Sequence, residues 1–347
     1  CIIVCEFNKV HMVMENLDIE YTDIDYFEIV VTKTYSNKRI DRLLSDTIGG
    51  VSRSRLKKLI DSELIRLNGG RTEPSHITKI GEIIQIRLPE PELVNLKPQE
   101  IPFDEIYEDD NLLVMNKRAN LVMHPGNGNY ENTILNGLLF KYSESRKLPR
   151  AGIVHRLDKD TTGLVVVAKN RLAFDSLSMQ IFKRNIRRNY LALVWGNLLT
   201  KIEIEGKLER DRANRLRFMI SKTDKGKFAH TTVTPIETGH LQNHEVTLVK
   251  CILNTGRTHQ IRVHLEGFGY PIVGDVLYKR GSPRHLREEV MPRQALHAFS
   301  LAFLEPIKKY PMTFQVLPPD DLKKQITITK SNAQKAATIE ADKSIND

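Results

Sequence analysis

The stretch HRLDKDTTGLVVVAK, residues 155–169, joins a cluster of charged side chains directly to an apolar segment. GLVVVA has the composition of a strand buried on both faces, and such a strand is a rigid support for the loop that precedes it. Thr161 and Thr162 can hydrogen-bond the loop backbone, and Gly163 permits the close approach of another segment. An Asp beside an Arg is more often a turn or ion-pair residue than a catalyst. The residues around Asp158 therefore indicate an active site rather than a surface turn only if other parts of the sequence carry polar residues that could join them.

Two further stretches place polar side chains beside apolar segments. NTGRTHQIRVHLEGFGYPIVGD, residues 254–275, turns at Gly-Arg-Thr-His and continues as QIRVHL, which we expect to be an extended strand. That would put three polar side chains on one face: Gln260, Arg262 and His264. An edge strand with a solvated polar face is the alternative. In KRNIRRNYLALVWG, residues 183–196, four basic residues precede Tyr190 at the head of a strand, a position that usually holds a packing residue.

Composition limits the class of protein. The 347 residues are 40% hydrophobic and 27% charged, which is ordinary for a globular chain that buries a sizeable core. No apolar run is long enough to span a membrane, so we expect no membrane partner. Three cysteines make no disulfide framework and predict a cytoplasmic location. No spacing typical of a metal site occurs, and the net charge of +9 favours an anionic partner such as nucleic acid.

Changes in charge and proline content divide the chain into five predicted segments. They are an acidic leader, a compact basic unit, a proline-rich linker, a main body and a disordered tail: residues 1–30, 31–90, 91–102, 103–330 and 331–347. The leader carries seven acids and one Lys, and we expect roughly its first dozen residues to be an upstream extension.

The basic unit is predicted to contain two short helices and a hairpin. KRIDRLLSDTI has helical spacing, and Ser52 is the expected N-cap of a second helix in SRSRLKKLI. ITKIGEIIQIRL alternates like a hairpin with Gly81 at its bend. A solvated helix face is the alternative to an RNA-binding role for the charged side chains, which are Arg39, Arg42, Arg53, Arg55, Lys57 and Lys58.

The main body is strand-rich with few helices, which predicts an α+β fold with a mixed sheet rather than a regular βαβ repeat. RLAFDSLSMQIFKRN is predicted to be a helix whose inward-facing side chains are Leu172, Phe174, Leu177 and Ile181.

The ordered motifs of the main body resemble those of the RluA family of pseudouridine synthases. HRLDKDTTGLVVVAK is similar to the family's HRLDxxTSGLLVVAK, and RRNYLALVWG to its KxYxAxVxG. GRTHQIRVHLEGFGYPIVGD is similar to its GRTHQIRxHLxxxGHPIxGD, and VMNKRANLVMHPGNGN to its VxNKPAGLxVHPGxGN. These matches span about 200 residues. The basic unit resembles, in the order of its elements, the S4 RNA-binding module over about 50 to 60 residues.

The resemblance implies a mainly antiparallel catalytic domain preceded by a small α/β S4 domain. It implies an isomerase that detaches uracil from C1′, rotates it and rejoins it through C5, without cofactor or metal. Asp158 matches the catalytic Asp that attacks the ribose or the uracil ring, and Arg262 matches the Arg that pairs with it. Tyr190 matches the Tyr that stacks on the ring and helps to remove the C5 proton. Arg156 would fill the space of the flipped base, with His155 supporting the loop beside the RNA.

The S4-like unit favours the branch of the family that acts on large-subunit ribosomal RNA or its precursor, with the enzyme as a monomer. The same chemistry on tRNA is one alternative, and a non-catalytic RNA-binding factor of ribosome assembly is another. Arg118 stands where the family usually has Pro and Asn120 where it has Gly, so the shape of that turn is an open point.

Overall fold

The computed structural model describes residues 3–6, 9–13, 19–20, 26–49, 53–87, 96–125, 131–211, 213–214, 216–223, 225–283, 290–327 and 329. The expectations for Ser52 and for the tail at 331–347 lie outside these residues. The chain divides into two compact units, Cys1–Leu96 and Lys97–Asp347, at a point within the predicted linker. Among the described residues, no helix combines the length and apolar character needed to cross a membrane.

The first unit contains the two predicted helices and a five-stranded sheet. Its elements are β1 (Ile3–Glu6), β2 (Lys9–Val13), β3 (Ile19–Glu20), β4 (Tyr26–Val30), α1 (Ile40–Thr47), β5 (Ile48–Gly49), α2 (Arg53–Asp61), β6 (Ile65–Leu67) and β7 (Ile83–Arg87). The strand order is β1-β2-β4-β7-β6, and β3 pairs with β5. The apolar positions Leu43, Leu44 and Leu56 are fully buried, as their helical spacing predicts.

Two expectations for this unit were wrong. The unit does not begin at residue 31, because β4 lies within the acidic leader and pairs antiparallel with β7. The segment before Gly81 is also not the first strand of a hairpin. Gly81 does turn the chain at a φ of 85°, but β7 pairs with β4 and with β6, so the alternating pattern marked only one strand.

The second unit is built on a ten-stranded sheet that is antiparallel except at one pair. Its elements are β8 (Glu105–Glu108), β9 (Leu112–Lys117), α3 (Ile134–Lys141), β10 (Thr162–Ala168), α4 (Arg171–Phe182), β11 (Arg187–Trp195), β12 (Ile202–Arg210), β13 (Phe218–Ile220), β14 (Lys227–Leu241), β15 (His244–Leu253), α5 (Gln260–Gly267), β16 (Leu296–Leu304) and β17 (Pro311–Gln315). The order is β13-β12-β14-β15-β11-β16-β10-β9-β8, with β17 on β16. The predicted α+β class is confirmed, and so is the predicted burial of GLVVVA, because all seven residues of β10 are buried.

Three expectations for the second unit need correction. QIRVHL forms α5 rather than a strand, and its residues from Gln260 to Glu266 are buried on every side, so no single polar face exists. Leu172 in α4 is 71% exposed, whereas Ala173, Phe174 and Leu177 are buried. The end of the predicted linker also packs on the fold, because the Gln99 N–H donates to Asn136 O.

Candidate active site

Contacts with the adjacent strands β10 and β16 fix the residues on either side of the loop at 158–161. The Val166 N–H of β10 donates to Nε2 of His155, at 3.1 Å. At the start of β10, Gly163 lies against β16 so closely that a Cβ atom would stand 2.3 Å from Ala298 O. Its φ of 116° also favours glycine. Thr162 donates to or accepts from His297 Nδ1 at 2.9 Å, which ties the same point to β16.

Side chains from outside the loop donate hydrogen bonds to its backbone carbonyls. Lys117 Nζ donates to Lys159 O at 2.8 Å, and Arg293 Nη1 donates to Asp160 O at 3.1 Å. Lys117 also donates to two carbonyls in the following turn, at 2.8 and 2.9 Å. Burial lowers the pKa of Lys117 to about 7, against the opposing charges of nearby carboxylates. The three carbonyl acceptors match the three N–H groups of its ammonium form.

Asp158 and Arg262 are in direct contact. Arg262 Nη1 lies 3.1 Å from Asp158 Oδ2. The other edge of the guanidinium is held by Asp275, with Nε 2.6 Å from Oδ2 and Nη2 2.9 Å from Oδ1. The guanidinium also lies over the Tyr278 ring, 4.9 Å from its centroid. Arg262 is thus fixed by Asp275 and presents one nitrogen to Asp158.

The electrostatics keep Asp158 ionised. Burial alone would raise the pKa of this carboxyl, but its interactions with His259 and Arg262 and the Arg262 hydrogen bond outweigh burial and lower it. Arg262 is charged throughout the working pH range, so it is the permanent cause. Burial likewise opposes the charge of Arg262, and its two carboxylate partners raise its pKa instead.

Tyr190 is buried in β11, at an irregularity between Asn189 and Leu191 in the pairing of β11 with β16. A bulge of this kind re-aims the side chain of the strand that carries it. Burial raises the pKa of Tyr190 to about 12, and the charge of Asp158 contributes in the same direction. The phenol is therefore neutral near pH 7, which favours the predicted stacking role over proton removal by a phenolate.

The residues predicted to bind RNA differ in exposure. Arg156 is exposed beside Asp158, and its charge contributes to the lowered pKa of that carboxyl. His155 is only 8% exposed, and burial lowers its pKa to about 3, so it is neutral. His155 is therefore a support of the loop and not part of an exposed RNA-binding surface.

The basic residues of the first unit lie at or near the surface of its two helices. Arg39, Arg42, Arg53, Lys57 and Lys58 are exposed. Arg39 and Arg53 both pair with Asp41, at 3.1 and 3.0 Å, so part of their charge is balanced within the unit. The side chain of Arg55 lies outside the described residues.

Sequence reasoning missed several residues of the site. Asp275 and His259 both lie in the quoted 254–275 stretch, and a search for a second acidic partner of Arg262 could have found Asp275. Arg293 lies outside every motif, and no local pattern indicates its contact with the loop. Within the described part of the chain, no three His, Cys, Asp or Glu side chains are grouped so as to hold a metal ion.

Comparison with known proteins supplies the family. Residues 111–267 match the family described as RNA pseudouridylate synthase. A protein of Xanthomonas campestris pv. campestris named "Ribosomal large subunit pseudouridine synthase D" is 35% identical over 94% of this chain and 99% of its own length. One of the same name from Zymomonas mobilis subsp. mobilis is 36% identical over 88% of this chain and 99% of its own.

A solved structure supports the fold independently. "Human RNA Pseudouridylate Synthase Domain Containing 1" is similar with a TM-score of 0.50 and 24% identity, covering 65% of this chain and 94% of that one. The relatives extend over nearly the whole sequence, and the motifs around Asp158, Tyr190 and Arg262 fall within the matched region. The chain belongs to the RNA pseudouridylate synthase family, in the RluA group that its motifs resemble.

Proposed function

We propose that this chain isomerises specific uridines of large-subunit (23S) ribosomal RNA to pseudouridine. The observation that carries the proposal is the ionised Asp158 carboxylate, which Arg262 binds. The loop that carries it accepts hydrogen bonds from Lys117, Arg293 and Gln294. The near full-length relatives named for the large ribosomal subunit support the choice of RNA.

The reaction needs one bond broken, one formed and one proton moved. The C1′–N1 bond breaks, the uracil turns, C1′ bonds to C5, and C5 loses a proton while N1 carries one. Asp158 supplies the anionic oxygen that attacks the ribose or the ring, and the bond that it forms to the substrate breaks again before the product leaves, which restores the free carboxylate. Arg262 keeps this carboxylate ionised and aimed. Tyr190 provides a neutral aromatic face for the uracil, and Arg156 fills the space that the flipped base leaves.

The first unit adds a basic surface, which we propose to be an S4-type RNA-binding domain. Its exposed Arg and Lys side chains fit contacts to phosphates, so its contribution should weaken steeply with salt. Asp158, Arg262 and Asp275 contact one another within a single chain and need no residue of a second copy, and we propose that the enzyme acts as a monomer. The free, buried thiol of Cys251 is compatible with a cytoplasmic location.

Release of tritium from 5-³H-uridine in RNA tests the proposal. We expect release from 23S ribosomal RNA, and its loss in Asp158→Asn. Asp160→Asn is the matched control, because the new amide retains the oxygen that accepts the Asn120 N–H. Release from tRNA alone would support the tRNA alternative. Binding to ribosomal RNA without release from any RNA would support the assembly factor.

A further inference from the structure

A chain of hydrogen bonds ends beside the oxygen of Asp158 that Arg262 does not bind. The Phe218 N–H donates to the Tyr278 hydroxyl at 2.8 Å. The same hydroxyl lies 2.9 Å from His259 Nδ1. The other ring nitrogen, His259 Nε2, lies 3.9 Å from Asp158 Oδ1.

The surroundings of Tyr278 determine which group donates the proton in its hydrogen bond with His259. Its hydroxyl oxygen already accepts from Phe218, so its own proton needs an acceptor. The groups over its ring are the guanidiniums of Arg217 and Arg262, with CZ at 4.8 and 4.9 Å from the centroid, and guanidiniums accept no hydrogen bonds. Among the described residues, His259 Nδ1 is the acceptor that remains. Nδ1 is therefore the unprotonated nitrogen, and the imidazole proton sits on Nε2, the nitrogen nearest to Asp158.

The backbone at His259 supports a functional reason for this placement. His259 has a φ of 56° and a ψ of 19°, in the left-handed region, at the residue before α5. A non-glycine residue in this region is uncommon, and such conformations concentrate at functional sites. The turn directs the imidazole toward Tyr278 and Asp158 while α5 carries Arg262 one turn away.

We propose that His259 is a positioning residue that presents a neutral N–H donor to Asp158 Oδ1, with Tyr278 fixing its tautomer. Arg262 holds Oδ2 and His259 Nε2–H orients Oδ1, so the two carboxylate oxygens are held by different groups. The distance of 3.9 Å is too long for a hydrogen bond, and a closure of about 1 Å brings the pair within range. Hydrogen bonds in active sites commonly tighten when substrate binds.

The tautomer also keeps a second cation away from Asp158. Burial lowers the pKa of His259, Asp158 and Asp275 oppose this, and Arg262 and Arg156 add to it. The Tyr278 hydrogen bond favours the neutral ring further, because it occupies the nitrogen that would take the proton. Without that hydroxyl, Nδ1 is free to bind a proton, and an imidazolium would then form beside Asp158 and restrain its carboxylate.

The test compares the full chain with Tyr278→Phe, His259→Gln and the double variant; it rests on the proposed function for its activity readout. Tritium release from 23S ribosomal RNA is measured under single-turnover conditions from pH 5.5 to 8.5. We expect the wild-type rate to show no histidine ionisation in this window. Tyr278→Phe should raise the pKa of the His259 imidazole and so introduce an acidic limb, with a rate at pH 5.5 several-fold below its plateau. The limb should disappear in the double variant, which has no imidazole at this position.

Nitrogen-15 NMR of the histidine rings provides a readout that does not depend on activity. His259→Gln identifies the His259 signals, which should be those of the Nε2–H form in the wild type and should titrate in Tyr278→Phe. A uniform loss of rate in Tyr278→Phe with an unchanged tautomer would overturn the proposal, as would a limb that persists in the double variant. A wild-type chain that releases no tritium would instead refute the proposed function, and with it the positioning role.

Discussion

Asp275 should contribute strongly to the free energy of unfolding of the second unit, in addition to holding Arg262 in the site. Its side chain is fully buried, and both of its oxygens bind the guanidinium of Arg262. Its Oδ1 also accepts the N–H groups of Leu277 and Tyr278, each at 2.9 Å. In Asp275→Asn the amide oxygen can keep these N–H partners, but the amide nitrogen then faces Arg262 Nε across a gap of 2.6 Å, donor against donor.

The size of the effect follows from the burial of the pair. Removing one partner of a buried ion pair costs about 3–5 kcal/mol, because the remaining charge is left without compensation. Asp158 still faces one nitrogen of Arg262, so we expect the lower end, about 3 kcal/mol. Trp195 is the only tryptophan of the chain and lies buried in β11, so its fluorescence during urea unfolding reports on this unit.

Two comparisons isolate the cause. Asp320→Asn changes a carboxylate that is 99% exposed and should alter the free energy of unfolding by less than about 0.5 kcal/mol. Combining Asp275→Asn with Arg262→Met removes the stranded cation, so the double variant should lose clearly less than the sum of the single losses. A loss below about 1 kcal/mol in Asp275→Asn, or strict additivity in the double variant, would refute the reasoning.

Three further variants test other parts of the structure. Gly163→Ala should destabilise the second unit by about 3 kcal/mol in the same unfolding assay, because its Cβ would lie 2.3 Å from Ala298 O at a positive φ; an unchanged stability would contradict the close packing. Lys117→Met should cost about 3 kcal/mol, since three partly buried carbonyls lose their donor, and a fully stable variant would rule out this role of Lys117. Hydrogen bonds from Arg39 and Arg53 lower the pKa of Asp41 to about 2. Because both Arg side chains are exposed, we expect Asp41 to add only about 1 kcal/mol to the free energy of unfolding. This contribution is present above pH 4 and is lost as the pH falls through 2. The difference between wild type and Asp41→Asn in hydrogen exchange of the α1 amides should therefore shrink as the pH falls below 4 and vanish below pH 2, and a difference that stays constant over this range would be inconsistent with this pair.

The sequence predicted best those elements whose pattern reflects local burial. GLVVVA has an apolar side chain at nearly every position, and β10 is indeed buried on both faces between β9 and β16. The spacing of Leu43 and Leu44 predicted α1 correctly, because that helix buries one face. The α+β class followed from such elements without any knowledge of their partners.

The sequence-based predictions were wrong for segments whose buried residues do not lie on a single face of the helix or strand. QIRVHL alternates between polar and apolar residues, yet α5 buries all of them, because Gln260 and His264 find partners inside the fold. Thr231 of β14 is one such partner, about 30 residues away along the chain. Contacts of this kind depend on tertiary packing, so a local pattern cannot distinguish a buried polar helix from a half-exposed strand.

The features of the site also divide into those that the sequence predicted and those that depend on tertiary packing. The proximity of Asp158 and Arg262 was implied by the resemblance of their motifs, although 104 positions separate them. The second carboxylate on Arg262 and the tautomer of His259 could not be predicted, because each depends on distances between separate elements. Asp275 and Tyr278 follow α5 in the chain and return to it only in the folded structure.

The proposed activity, pseudouridine formation in ribosomal RNA, depends on Asp158. The most direct measurement maps pseudouridines in 23S ribosomal RNA from cells in which this chain carries Asp158→Asn, with Asp160→Asn as the control. We predict that a defined set of uridines loses modification in the first strain and retains it in the second. Full modification in the Asp158→Asn strain, with the variant as the only copy present, would contradict the account.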